Sequence, residues 1–325
     1  MSLERTDQTG LQRPYGTAVD WLEDLSETQF AYLMLVPVFL LMGVMAFWPL
    51  VRTFEMSLFA DAATAPAPIG EFVGLENYVD IVRGERTASL PRPFWDGDRP
   101  LASAIPVTFV FTAGVVVAET LLGLTMALVL NENFKGRRWL RMTLILPWAV
   151  PIVIQGMIFY LLFNNSVGIA GIWLSEIGMF TRNPLSTPEN ALLVVMVADI
   201  WKQTPFIALL VLAGLQSIDR DLYEVARVSG ATRWERFKTV TFPLVLPTLL
   251  VAMLFRSIGA MKIYGTIVPI AGCNTVPSLS CVVVSTFNSR LYGTSTAVAV
   301  LMAVIIGSLM MFYIIPYART NTGGV

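Results

Sequence analysis

Several uninterrupted apolar runs in this chain approach or exceed the ~20 residues that carry a helix across a bilayer, and that single fact constrains the fold more than any motif. The runs predict membrane-spanning helices near 30–51, 104–130, 142–163, 191–214, 244–265 and 294–317. Of the 325 residues 55% are hydrophobic and 14% charged, with mean hydropathy +0.65. A soluble protein of similar length carries about 25% charged residues. The expectation is an all-α membrane protein with six transmembrane helices in a plasma membrane.

Short loops give the orientation, because Lys and Arg are retained on the cytoplasmic side. The loop after the second run carries Lys135, Arg137, Arg138 and Arg141. The loop 215–243 carries Arg220, Arg227, Arg233, Arg236 and Lys238. Both loops are predicted to be cytoplasmic, and six spans then place both termini there, as a tail over 1–29 and a short tail over 318–325. The longer loop 52–103 falls outside. Its arginines are accompanied by Glu71, Glu76, Asp80, Glu85, Asp96 and Asp98. Its many Pro and Gly residues predict turns and irregular structure. The polar start of the chain lacks the short positive layout of a cleaved signal peptide.

Composition excludes several functions. Net charge is −1, which offers no basic surface for nucleic acid. There is no histidine, so the usual proton shuttle and commonest metal ligand are missing. Two cysteines are too few for a zinc or iron–sulfur site. The dipeptide Gly-Lys does not occur, so no P-loop can cradle nucleotide phosphates. Catalytic chemistry, a cofactor and a metal are therefore not expected here; if transport is powered by ATP, the ATPase must be a separate chain.

Ionisable groups within spans are costly and usually face protein or a watery path. Glu119, Asp199, Lys202, Arg256 and Lys262 are such groups. Asp199 and Lys202, three apart on one helical face, have two readings: a structural ion pair, or part of a polar lining to which Trp201, Gln203 and Tyr264 add stacking and hydrogen bonds. Arg256 and Lys262 are placed to snorkel. Cys273 and Cys281 fall in the fifth interhelical loop, where they are either a disulfide closing a small loop or two buried thiols. Asn288 lies in that loop beside a candidate entrance.

Between the fourth and fifth runs stands a polar island, Glu224 to Pro243. It predicts two short helices hinged at Gly230, with Asp219 as N-cap of the first and Thr232 and Glu235 at capping-box spacing for the second. Leu222, Val225, Ala226 and Ser229 share one face of the first helix. Two readings stand: an amphipathic turn lying on lipid headgroups, or a docking surface that small Ala226 and Gly230 open to another protein.

The island resembles the EAA motif of binding-protein-dependent ABC importer permeases: Glu224, Ala226, Gly230 and Pro243 match in register, with Val225, Val240 and Phe242 as apolar replacements. Phe72 to Tyr78, Leu146-Pro147-Trp148, Trp201-Lys202-Gln203-Thr204-Pro205-Phe206 and Ala213 to Ile218 are similar to landmarks of the maltose/glycerol-3-phosphate class. Two departures stand out: Ser229-Gly230-Ala231 replaces the usual Asp-Gly-Ala, and Ile270-Ala271-Gly272-Cys273-Asn274 stands where a Thr-Gly-Gly-Gly-Pro-like turn is common. The resemblance implies a type I ABC importer permease fold. Glu224, Ala226, Gly230, Ala231 and Pro243 would form a cytoplasmic coupling helix. The implied partners are a second permease subunit, two ATP-binding subunits and an extracellular solute-binding protein. The implied cargo is a sugar or related polyhydroxylated solute; an amino-acid or peptide permease, or an ion-driven secondary transporter, are the alternatives.

Overall fold

The computed structural model describes residues 25–62, 69–85, 90 and 92–322, with side chains to residue 315. Most of the expected 1–29 tail and the last three residues lie outside the described residues. The chain divides into two units, Met1–Glu55 and Met56–Val325. In the first, Ser26 and Gln29 form a capping box that starts α1 (Glu27–Met56), a 30-residue apolar helix containing Pro37 and a π turn at Gly43–Phe47.

The second unit opens with β1 (Phe59–Asp61) paired antiparallel with β2 (Ile69–Phe72), followed by α2 (Glu76–Arg83). The stretch read as irregular from its Pro and Gly content is therefore partly ordered. Buried Asn77 supplies the reason, donating from Nδ2 to the carbonyls of Ser57 (2.7 Å) and Phe59 (2.8 Å) and tying α2 to the hairpin. Asp61 in turn accepts from the backbone N–H (2.9 Å) and hydroxyl (2.5 Å) of Thr294, near the start of the last helix.

The helical bundle follows: α3 (Ala104–Asn131), α4 (Arg137–Ala149), α5 (Ile152–Phe163), α6 (Ile169–Glu176), α7 (Pro188–Gln216), α8 (Arg220–Val228), α9 (Arg233–Arg236), α10 (Phe242–Met261), α11 (Ile267–Ile270), α12 (Leu279–Asn288) and α13 (Tyr292–Thr322). A π turn at Phe237–Thr241 joins α9 to α10 in one continuous helix. The expected third span is not straight. Proline disfavours helix in the residue before it; Pro151 ends α4 at the Ala149–Val150 joint, and α5 leaves at 92°. The last helix runs through 318–322, which shortens the expected C-terminal tail.

The core is built on α3 and α7. Val107, Phe111 and Val115 of α3 pack with Val194, Val195 and Ala198 of α7 and with Phe159 and Phe163 of α5. Toward the other end, Ala127 and Leu130 meet Ile207, Val211 and Leu215, with Val245, Leu249 and Ala252 of α10 closing the layer. Gly123 permits this approach: a β-carbon there would stand 2.7 Å from Ile207.

Candidate functional site: a buried ion triad and an exposed helix pair

Three helices each bring one charged side chain into the core. Arg256 of α10 donates through Nε to Glu119 Oε2 (2.5 Å) and through Nη2 to Glu119 Oε1 (2.9 Å) and to Asp199 Oδ2 (2.7 Å). All three residues are less than a tenth exposed. A guanidinium suits this place because its planar fork can serve two carboxylates at once. The arrangement cross-links α3, α7 and α10 where hydrocarbon gives charge no other partner.

This geometry corrects two sequence expectations. Asp199 and Lys202 do not pair: Asp199 turns to Arg256, while Lys202 donates to the Val150 carbonyl and reaches the Trp148 carbonyl at 3.5 Å. Nor does Arg256 snorkel; two carboxylates inside the bundle hold it, whereas Lys262 is exposed. The carbonyls that Lys202 meets stand at the α4–α5 break, where the end of a helix leaves such oxygens without an intrahelical donor. Gln155 of α5, which sequence reasoning missed, donates to the Ala198 carbonyl at 2.6 Å and anchors α5 beside Asp199. A lone amide inside the apolar run Ile152–Phe163 was the available signal.

The other path candidates are dispersed. Trp201 is 40% exposed and sits 5.8 Å from the Phe159 ring, while Gln203 and Tyr264 are half-buried and Asn288 is exposed at the end of α12. Among the described residues, no hydrogen bond joins these four to Asp199 or Lys202. Cys273 and Cys281 are joined as a disulfide, their Cα atoms 5.5 Å apart. The loop they close is held by Ser278, whose hydroxyl donates to the Ile263 carbonyl (2.7 Å), and by Arg92, whose Nε donates to the Asn274 carbonyl (3.0 Å).

The polar island folds as two short helices. Asp219 accepts from the Asp221 N–H at 3.0 Å and starts α8. Gly230 then takes φ +83°, a left-handed turn that a side chain would oppose. Thr232 and Glu235 complete both halves of the capping box that starts α9. The bonds from the Thr232 backbone N–H and hydroxyl hold the Glu235 carboxyl below the usual carboxylate range. Tyr223 accepts from the Thr241 hydroxyl at 3.2 Å and ties α8 to the π turn. Glu224 pairs with Arg227 on its own helix, both more than half exposed. Ala226 and Ala231 are half-buried, whereas Gly230 and Pro243 are exposed. Leu222, Val225, Val228 and Trp234 are uncovered, Val228 at 86%. Val228 lay outside the face counted from the sequence, and its side chain extends the apolar stripe toward the glycine hinge.

Comparison with known proteins decides what kind of membrane protein carries this pair of features. Residues 119–319 match the family described as the binding-protein-dependent transport system inner membrane component. The chain belongs to that family. This permease is 37% identical over 291 residues to the trehalose/maltose transport system permease protein MalF of Thermococcus litoralis, covering 89% of this chain and 93% of that one. It is 33% identical over 245 residues to the sulfoquinovosyl glycerol transport system permease protein SmoG of Agrobacterium fabrum, covering 75% and 74%. Its fold is similar to that in the crystal structure of a bacterial ABC transporter involved in the import of the acidic polysaccharide alginate (TM-score 0.70, 22% identity, 94% of this chain and 98% of that one). The permease is thus a multi-pass membrane subunit of a binding-protein-dependent ABC importer with the type I permease fold. The family match begins at Glu119, so it spans the whole triad and the whole α8–α9 helix pair.

Proposed function

We propose that this permease forms, beside a second related permease subunit, the pore of an importer for a sugar or a related polyhydroxylated solute. An external solute-binding protein delivers the cargo, and a pair of separate ATP-binding subunits drives it. The observation that carries the coupling part is the uncovered stripe Leu222, Val225, Val228 and Trp234 on either side of the Gly230 turn. Such a stripe on a charged helix pair suits a protein groove. The cargo class rests on relatives named for trehalose, maltose and sulfoquinovosyl glycerol transport. Trp201, exposed beside Phe159, is the aromatic group placed to stack on a solute, whereas Asp199 is already committed to Arg256.

The sidedness follows the basic loops. The coupling unit lies at the N-terminal end of α10 on the cytoplasmic side, with both chain termini. The Cys273–Cys281 loop follows the C-terminal end of α10 and faces outward, where disulfides persist. ATP-driven closure of the ATP-binding subunits moves α8 and α9 and thereby reorients the spans.

The test is uptake and ATPase activity of the reconstituted assembly, screened over disaccharides, polyols, glycerol phosphates and amino acids. Stimulation confined to polyhydroxylated solutes is expected. Equal stimulation by amino acids would overturn the cargo, and uptake that needs no ATP but collapses with an ionophore would overturn the machine.

A further inference from the structure

At the end of the bundle that carries the coupling unit, two adjoining clefts of about 640 and 590 Å³ share Glu132, Tyr223 and Arg236. Their walls carry four arginines, Arg137, Arg220, Arg233 and Arg236, against the single carboxylate of Glu132. Among the described residues, no carboxylate lies within ion-pair distance of any of these arginines. Arg137 makes one side-chain bond, Nη1 to Asn133 Oδ1 at 3.1 Å. With the Gln216 amide turned so that its oxygen faces the guanidinia, it accepts from Arg141 Nη2 (2.8 Å) and Arg137 Nη2 (3.3 Å). A neutral oxygen is thus the acceptor on which two cations converge.

The Nε–H groups of Arg137, Arg141 and Arg236 are buried and have no acceptor among the described residues. A buried donor on a charged group left without a partner is costly, so such groups are normally satisfied. Two of these guanidinia, Arg137 of α4 and Arg236 of α9, line the clefts from different helices, and with Arg220 and Arg233 they leave the walls with an excess of positive charge that favours an anion. A carboxylate presents two oxygens in one plane and best suits guanidinia approaching in that plane. A phosphoryl group presents oxygens tetrahedrally and can take guanidinia arriving from different helices. We propose that this cleft binds a phosphate group, wedged between α8–α9 and the adjoining ends of α3 and α4. An anionic phospholipid headgroup and a free phosphate share that chemistry, and basic pockets between membrane helices are known to take the former.

The full chain, purified from membranes and stripped of lipid, is mixed with phosphatidylglycerol, with inorganic phosphate or with a phosphate-free glycolipid, and native mass spectrometry reads what stays bound. Selective retention of phosphatidylglycerol assigns a lipid headgroup; retention of inorganic phosphate assigns the free anion; either supports the site. The double variant Arg137→Gln/Arg236→Gln is expected to weaken retention by about tenfold or more, the scale of one lost charge-assisted bond. Gln216→Glu guards against misfolding: it offers Arg137 and Arg141 an internal carboxylate and is expected to expel the phosphate while leaving the melting temperature unchanged or higher. Equal retention of glycolipid and phosphatidylglycerol, or undiminished phosphate binding in both variants, would overturn the proposal.

Discussion

Arg256 and Glu119, 137 residues apart in the chain, meet through two parallel hydrogen bonds of 2.5 and 2.9 Å in the middle of the bundle. The same guanidinium serves a second carboxylate, because Nη2 also donates to Asp199. Removing one partner of a buried pair strands the other charge at a cost of roughly 3–5 kcal/mol, whereas replacing the whole set with apolar groups is often neutral or better. Arg256→Met is therefore expected to lower the melting temperature sharply in detergent. The triple variant Glu119→Gln/Asp199→Asn/Arg256→Met should recover most of that loss. Thermal unfolding of the two variants checks this, and an equal loss in both would refute it.

Lys202 is expected to hold the α4–α5 break. Lys202→Met leaves the Val150 carbonyl without its side-chain donor, which costs about 1–3 kcal/mol when the oxygen stays dry. Amide exchange across 148–155 should quicken in the variant while exchange in α13 is unchanged. Uniform acceleration throughout the chain would mean a global effect instead.

Gly230→Val probes the hinge of the coupling unit. No atom lies within 4 Å of the position a β-carbon would take, so the substitution acts through the backbone alone. A left-handed conformation costs a β-carbon-bearing residue roughly 1–2 kcal/mol. Membrane insertion should be normal, with co-purification of the ATP-binding subunit and uptake lost. Glu224→Lys, which sets a like charge beside Arg227, should do the same. Intact co-purification in both variants would sink the docking role.

Glu235 gives the unit a pH dependence of known sign. Its carboxyl is held below the ordinary range by the Thr232 backbone N–H and hydroxyl. A lowered folded-state value means that the cap contributes fully above the ordinary glutamate range and is lost as pH falls through the lowered value. Hydrogen exchange at 232–236 should rise on acidification in the wild type, and Thr232→Val should flatten that response.

The Cys273–Cys281 bond closes a short loop, and the chain-entropy relation gives roughly 2–3 kcal/mol for one of this size. Reductant should lower the melting temperature of the wild type but leave the Cys273→Ser/Cys281→Ser variant unmoved. Intact-mass measurement before and after reduction and alkylation reports directly whether the thiols are joined.

Elements governed by local chemistry were legible in the sequence. Apolar runs became long helices, and Asp219, Gly230, Thr232 and Glu235 announced the starts and turn of the coupling unit because capping is decided within four residues. What periodicity could not reveal was who meets whom. Asp199 and Lys202 looked like a pair at helical spacing, yet each found a better partner at a distance, a guanidinium for one and carbonyls freed by Pro151 for the other. The same blindness applies to the hairpin, whose order depends on the buried amide of Asn77. Arginines counted only for their sidedness gained meaning once Arg137, Arg220, Arg233 and Arg236 were found around two adjoining clefts with one carboxylate between them.

From Arg233 to Met261 the backbone is one uninterrupted rod, with a single wide turn at Phe237–Thr241. Trp234 and Arg256 sit near its two ends, about 33 Å apart at 1.5 Å per residue. A lever with its handle on the uncovered indole and its far end bolted to α3 and α7 cannot tilt without turning those helices too. Under the proposed docking, force applied at that surface would reach the middle of the bundle without passing through any loop.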